Sequence, residues 1–167
     1  MTLPIQYLFL CALLIIPVKT HDASHITPKI TKQEQQKIVR EYTCLKTAMY
    51  HESRGEPTEG IRAVLSVIHN RKNHKNYPST YCAVIKQPYQ FSFYNKIKHD
   101  RTPYSASEIE VKATIEELAF EAAVGVFKPV LEGEYLFFHT VDLKKVPKFS
   151  RKGKTSVIIG RHIFIGV

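Results

Sequence analysis

Tyr50-His51-Glu52-Ser53-Arg54-Gly55-Glu56-Pro57-Thr58-Glu59-Gly60 gathers three glutamates, an arginine and a histidine where one helical pattern stops and another starts. Upstream, Thr31 with Glu34 forms a capping-box signature for a helix start. Ile38, Tyr42, Leu45 and Met49 then recur at helical spacing and trace one apolar face. One further step of three lands on Glu52, which puts a carboxyl group on the buried stripe in the last turn. Desolvation there raises a carboxyl pKa, the condition a general acid needs. Gly55 is expected to close the helix in the left-handed conformation, and Pro57 forbids its continuation. Thr58 is expected to cap a second helix with the face Ile61, Val64, Leu65 and Ile68. The basic, polar stretch from His69 to Lys75 reads as its end, before the Tyr77-Pro78 turn.

Farther along, residues 79–85 form a short apolar segment that suits either a helical turn or a strand. Residues 87–95, Q-P-Y-Q-F-S-F-Y-N, alternate aromatic rings with amide and hydroxyl groups. That suits a sugar-binding wall, or equally a loop pinned to the core by its rings. Lys96 to Thr102 is basic and reads as solvated. Ser105 with Glu108 signals another helix start, running to about Val124 through Ile109, Ala113, Glu116, Leu118 and Ala122, with Gly125 as the stop. Tyr135 to Phe138 reads as a strand ending at His139. Thr155–Ile159 and His162–Ile165 flank Gly160-Arg161 as a hairpin. The expected class is α+β: three helices followed by a small C-terminal antiparallel sheet.

A chain of 167 residues with 44% hydrophobic composition holds one compact domain with a real core. Its 24 Lys and Arg against 15 Asp and Glu give a net charge of +9, which favours a polyanionic partner such as nucleic acid, an anionic membrane surface or an anionic cell-wall polymer. Residues 5–18 are apolar except for Gln6. That length falls short of the roughly 20 residues a membrane span needs and suits a signal peptide or a signal-anchor. The expected division is 1–20 signal peptide or signal-anchor, 21–31 linker and 32–167 catalytic domain, with membrane contact only through an uncleaved N-terminal segment. Past that signal only Cys44 and Cys82 remain, either as a disulfide in an exported domain or as two buried thiols. A bridge across that loop stabilises by roughly 4 kcal/mol in the chain-entropy picture.

As bare chemistry, Glu52, Glu56 and Glu59 invite a glycosidase reading. Glu59 fits the dipole-favoured first turn of the second helix, whereas Glu52 stands out by its helical face. Arg54 either pairs with Glu56 or faces an anionic substrate. His51-Glu52 begins the zinc-protease pattern H-E-x-x-H, but position 55 is glycine and the motif fails. The basic, aromatic stretch 69–101 suits nucleic acid in composition, yet no recognisable nucleic-acid-binding motif accompanies it and export argues against such a partner.

Residues 44–71, C-L-K-T-A-M-Y-H-E-S-R-G-E-P-T-E-G-I-R-A-V-L-S-V-I-H-N-R, resemble the signature of the SleB/CwlJ-type cell-wall hydrolases, found in spore-cortex-lytic enzymes and phage lysins. Tyr77-Pro78 to Val84, the triplet Gln90-Phe91-Ser92 and the tail from Phe138-His139 to Gly160-Arg161-His162-Ile163-Phe164 resemble further family stretches in the same order. Ser53 stands where the family has alanine, and Phe93 and Phe149 where it often has tryptophan. The resemblance implies a lysozyme-like fold and cleavage of peptidoglycan glycan strands, with Glu52 as the acid. It further implies a lytic transglycosylase needing neither metal nor cofactor; a hydrolytic muramidase or glucosaminidase, or a non-catalytic basic wall- or nucleic-acid-binding protein, is the alternative. Gln90, Phe91, Ser92, His139, Arg54 and Glu56 are the expected substrate-binding residues, in a protein exported to the periplasm or wall.

Overall fold

A computed structural model describes residues 30–88, 90–91, 106–145 and 147–167. The expected signal and most of the linker, Ser92, the basic stretch 96–102 and the helix-start Ser105 lie outside the described residues. The elements are α1 (Lys32–Ser53), α2 (Thr58–Asn73), α3 (Tyr81–Ile85), α4 (Ala106–Val124), β1 (Tyr135–Thr140), β2 (Thr155–Ile159) and β3 (His162–Gly166), with a short 3-10 turn at Ser150–Lys152. The strands form one antiparallel sheet in the order β1-β3-β2. The architecture is α+β and lysozyme-like, mainly helical with a small C-terminal sheet. The short segment after Pro78 resolves as the helix α3.

α1 opens with the capping box: Glu34 N–H donates to Thr31 Oγ1 at 3.2 Å, and Thr31 N–H donates to Glu34 Oε2 at 2.8 Å. Leu45 and Met49 of its apolar face are fully buried, and Tyr42 packs at the edge of the core. The helix ends at Arg54 in right-handed geometry, and Gly55 is absent from the glycines with positive φ. The left-handed closure expected at Gly55 therefore does not occur. α2 starts with Pro57 in the cap position and Thr58 already helical, with no side-chain cap, because proline's fixed φ suits the entry.

α2 is enclosed far beyond its expected face. Ile61, Val64, Leu65 and Ile68 are fully buried, but so are Ala63 and Val67, and α1, α3, α4 and β1 all pack on this helix. A helix apolar on most sides belongs in the middle of a core. Its buried polar residues fasten the segment leading into β1. Ser66 Oγ accepts from Val130 N–H at 2.9 Å, Asn70 Nδ2 donates to Leu131 O at 2.8 Å, and Arg71 Nε donates to Leu136 O at 2.6 Å. Asn70 and Arg71, within the polar end of the helix, are thus interior groups (7% and 5% exposed). In α4 the buried stripe is Ile115, Leu118, Ala119 and Ala122, while Ile109 is 59% exposed, so the stripe begins later than the pattern suggested.

α1 and α3 are joined twice. Cys44 and Cys82 form a disulfide with Cα atoms 5.3 Å apart. Buried Glu41 turns Oε2 onto the first amides of α3, accepting from Tyr81 N–H at 2.6 Å and Cys82 N–H at 3.2 Å. Hydrogen bonds to a charged acceptor contribute about 1.5–3 kcal/mol each, enough to hold a five-residue helix with little stability of its own.

Candidate active site

Glu52 lies in the last turn of α1, one helical step beyond Met49 on the stripe that enters the core. Its side chain is half-buried. Among the described residues, nothing donates a hydrogen bond or forms a salt bridge to its carboxylate. Burial pushes its pKa above the usual carboxylate value, and the nearby Arg71 guanidinium opposes that rise. A carboxyl group that is desolvated, unpartnered and biased towards its protonated form is equipped to donate a proton.

Arg71 is the residue beside this carboxyl that the sequence reading missed. Burial depresses its pKa, while Tyr77 and Glu52 act in the opposite direction. Its guanidinium lies 5.6 Å from the Tyr77 ring centre and 5.5 Å from that of Phe137. Aromatic faces and the Leu136 carbonyl hold the cation in place without neutralising it. The available signal was its place at i+3 from Ile68 on a helix apolar on several sides.

Glu56 has a different fate. It is 6% exposed, and its Oε2 accepts from Arg161 N–H at 2.8 Å while Oε1 accepts from Arg161 Nε at 3.3 Å. The carboxylate thereby ties the α1–α2 turn to the β2–β3 hairpin and is not offered to a ligand. His162 Nδ1 is 3.6 Å from Oε1, beyond hydrogen-bond reach, and burial holds this histidine below its usual pKa despite the pull of Glu56. Burial disfavours the charged form of His162, and Arg161 makes the hydrogen bonds to the carboxylate. Two glycines make room for this arrangement. Gly160 sits at φ 59°, and a Cβ there would strike Glu56 Oε2; a Cβ on Gly55 would strike Arg161 Nη2. The requirement is strict at Gly160, where positive φ and close approach to Glu56 combine, whereas at Gly55 the neighbour is the end of the exposed Arg161 side chain.

The remaining expected site residues are scattered. Arg54 is exposed, stacks on the Tyr50 ring at 5.3 Å and makes no ion pair with Glu56. Gln90 is exposed. Phe91 is 5% exposed within the core cluster, so its ring packs inward and does not form an open sugar platform. Ser92 lies outside the described residues. His139 is half-buried on the sheet face opposite that of Phe138, as strand alternation requires. Its Nδ1 meets Thr140 O at 2.8 Å and its Nε2 meets Ser150 Oγ at 3.2 Å. Among the described residues no cluster of three His, Cys, Asp or Glu is placed to hold a metal ion, and no helix is long and apolar enough to cross a membrane.

Comparison with known proteins gives one consistent answer. The structure is similar to the catalytic domain of the germination-specific lytic transglycosylase SleB from Bacillus anthracis, with a TM-score of 0.56 and 27% identity over 83% of this chain and 98% of that one. It is likewise similar to the catalytic domain of the Bacillus cereus SleB protein, with a TM-score of 0.57 and 28% identity over 83% of this chain and 94% of that one. No curated protein sequence matches. The family model for cell wall hydrolases matches residues 55–165, opening just past Glu52 and spanning the α1–α2 turn, the enclosed α2 and the sheet as far as Ile165. The chain belongs to the cell wall hydrolase family.

Proposed function

We propose that this protein cleaves the glycan strands of peptidoglycan as a lytic transglycosylase, with Glu52 as its single general acid and base. The observation that carries the proposal is the state of Glu52: half-buried, raised in pKa and without a described partner. Family membership and the likeness to a lytic transglycosylase support the substrate and the reaction class. The neighbouring glutamate that a two-carboxylate hydrolase could use, Glu56, is engaged with Arg161, which favours the single-carboxylate scheme.

The chemistry follows from one proton and one pair of electrons. The Glu52 carboxyl protonates the oxygen joining N-acetylmuramic acid to N-acetylglucosamine, and the C–O bond breaks towards that oxygen. Positive charge develops at the muramyl C1 and ring oxygen. The newly formed Glu52 carboxylate then takes the proton of the muramyl 6-hydroxyl as that oxygen bonds to C1 and closes an anhydro ring. Arg71 stabilises the carboxylate between the two steps, so the group that burial makes a good acid still functions as a base. The apolar segment 5–18 fits delivery of this domain to the wall, and the net charge of +9 favours retention on anionic wall material.

Mass spectrometry of fragments released from purified peptidoglycan tests the reaction type. Anhydro-muramyl ends are expected; reducing ends alone would refute the transglycosylase assignment in favour of hydrolysis.

A further inference from the structure

The face of the sheet that carries His139 is covered by the chain from residue 147 onward. Phe149 stacks on Phe137 with centroids 4.8 Å apart and planes at 19°, and the Gly153 backbone lies directly against Ile165. The Thr140 carbonyl can only accept, so the 2.8 Å contact assigns a proton to His139 Nδ1. Its Nε2 meets the Ser150 hydroxyl at 3.2 Å. These contacts frame a cavity of about 350 Å³ lined by His139, Ser150, Lys154, Thr155 and Ser156 over Ile163.

The cavity contains a cation and hydroxyl donors, and no carboxylate lines it. It also lies in the most basic part of the chain, where residues 141–167 carry seven Lys and Arg against the single acid Asp142. Strand alternation puts Lys154 and Ser156 on the His139 face, so their ammonium and hydroxyl are the groups placed to donate to a ligand. Arg71 acts electrostatically on the Glu52 carboxyl, and its guanidinium lies 5.5 Å from the Phe137 ring, whose stacking partner Phe149 has its ring 6.3 Å from that of His139.

We propose that this cavity is a subsite for the carboxylates of the peptide stems on the glycan strand, with Lys154 as the ionic partner and Ser156 as a hydroxyl donor. The proposal rests on the peptidoglycan reading above and extends it. Every muramyl unit with a stem carries carboxylates, so a strand engaged at Glu52 brings them along its length. A single ammonium beside a hydroxyl matches a singly charged carboxylate.

Calorimetric titration of the full chain carrying Glu52→Gln, which blocks turnover, provides the test. The probes are a purified disaccharide–tetrapeptide, the same fragment with its carboxylates amidated, and poly(glycerol phosphate). Adding Lys154→Gln is expected to weaken the free-acid fragment about tenfold or more, the scale of one lost charge-assisted hydrogen bond, and to leave the amidated fragment unchanged. Lys154 is exposed and its backbone N–H keeps its bond to Gly166 O at 2.9 Å, so the variant retains the fold, which circular dichroism verifies. Equal affinities with and without Lys154, or an equal loss for the amidated fragment, would overturn the subsite. Lys154-dependent binding of poly(glycerol phosphate) without binding of the peptide fragment would also overturn it and assign the cavity to phosphodiesters. Wall cleavage by the unsubstituted protein tests the parent reading separately: cleavage with Lys154-independent binding removes only the subsite.

Discussion

Replacing Glu56 by alanine separates a structural carboxylate from a catalytic one. The bond from Arg161 N–H to Oε2, 2.8 Å long and made to a carboxylate with 2% side-chain exposure, contributes about 1.5–3 kcal/mol. The second contact, from Arg161 Nε, comes from a side chain that is 68% exposed, so solvent screening limits it to about 1 kcal/mol or less. Glu56→Ala is therefore expected to cost about 2–4 kcal/mol, or on the order of 6–12 °C in Tm for a domain of this size. Arg161→Ala keeps the backbone amide bond and loses the solvent-screened contact to Oε1 and a long, exposed bond from Nη2 to the Gly55 carbonyl at 3.4 Å, so its cost stays at about 1 kcal/mol. Gly160→Ala should approach the Glu56→Ala cost, because the new Cβ meets Oε2 at a φ of 59°. Thermal and urea unfolding followed by circular dichroism measures all three. Well below its melting temperature, the Glu56→Ala protein should keep cleavage within about tenfold of wild type, since a positioning role is less demanding than the 10²–10⁴-fold of a general acid. Equal destabilisation by Arg161→Ala and Glu56→Ala would refute the clamp, and loss of cleavage in a folded Glu56→Ala protein would restore Glu56 to the chemistry.

Two further outcomes follow from the same geometry. Cleavage needs Glu52 protonated in its first step, so the rate should fall as pH rises through the Glu52 pKa, at a pH above the ordinary carboxylate range because burial raises it. Arg71→Met removes the opposing charge and should move that alkaline limb higher still; a limb that stays in place or moves down contradicts the electrostatic link, whatever the variant loses in stability. Reducing the Cys44–Cys82 bridge frees a separation of 38 residues and should lower unfolding free energy by about 4 kcal/mol in denaturant titrations, whereas an unchanged midpoint would remove the bridge from the stability account.

Features set by neighbours in sequence were legible without the structure. The Thr31–Glu34 capping box, the face from Leu45 to Met49 and the hairpin at Gly160-Arg161 depend on contacts a few residues apart. So does the placement of Glu52 on the buried stripe. What escaped was held by partners far along the chain. Glu56 finds Arg161 across 105 residues, Arg71 finds Leu136 across 65, and Glu41 finds Tyr81 across 40. Glu56 and Glu41 carry no local mark that distinguishes them from solvated residues, and Arg71 has only its place three residues beyond Ile68 on a largely apolar helix. Gly55 is the instructive failure. A glycine after a helix usually closes it in the left-handed conformation, but here the missing Cβ admits the Arg161 guanidinium from the hairpin.

The most direct test of the central claim is the Glu52→Gln protein assayed on purified peptidoglycan, with thermal unfolding followed in parallel. Release of soluble fragments should fall by about 10²–10⁴-fold or more. Stability should be equal or higher at neutral pH. The folded state raises the Glu52 pKa, so the ionised group costs stability once pH passes above the unfolded value, and glutamine removes that cost. The stability gain should vanish in acid, where the wild-type carboxyl is protonated in both states. A folded Glu52→Gln protein that clears peptidoglycan at the wild-type rate would contradict the account.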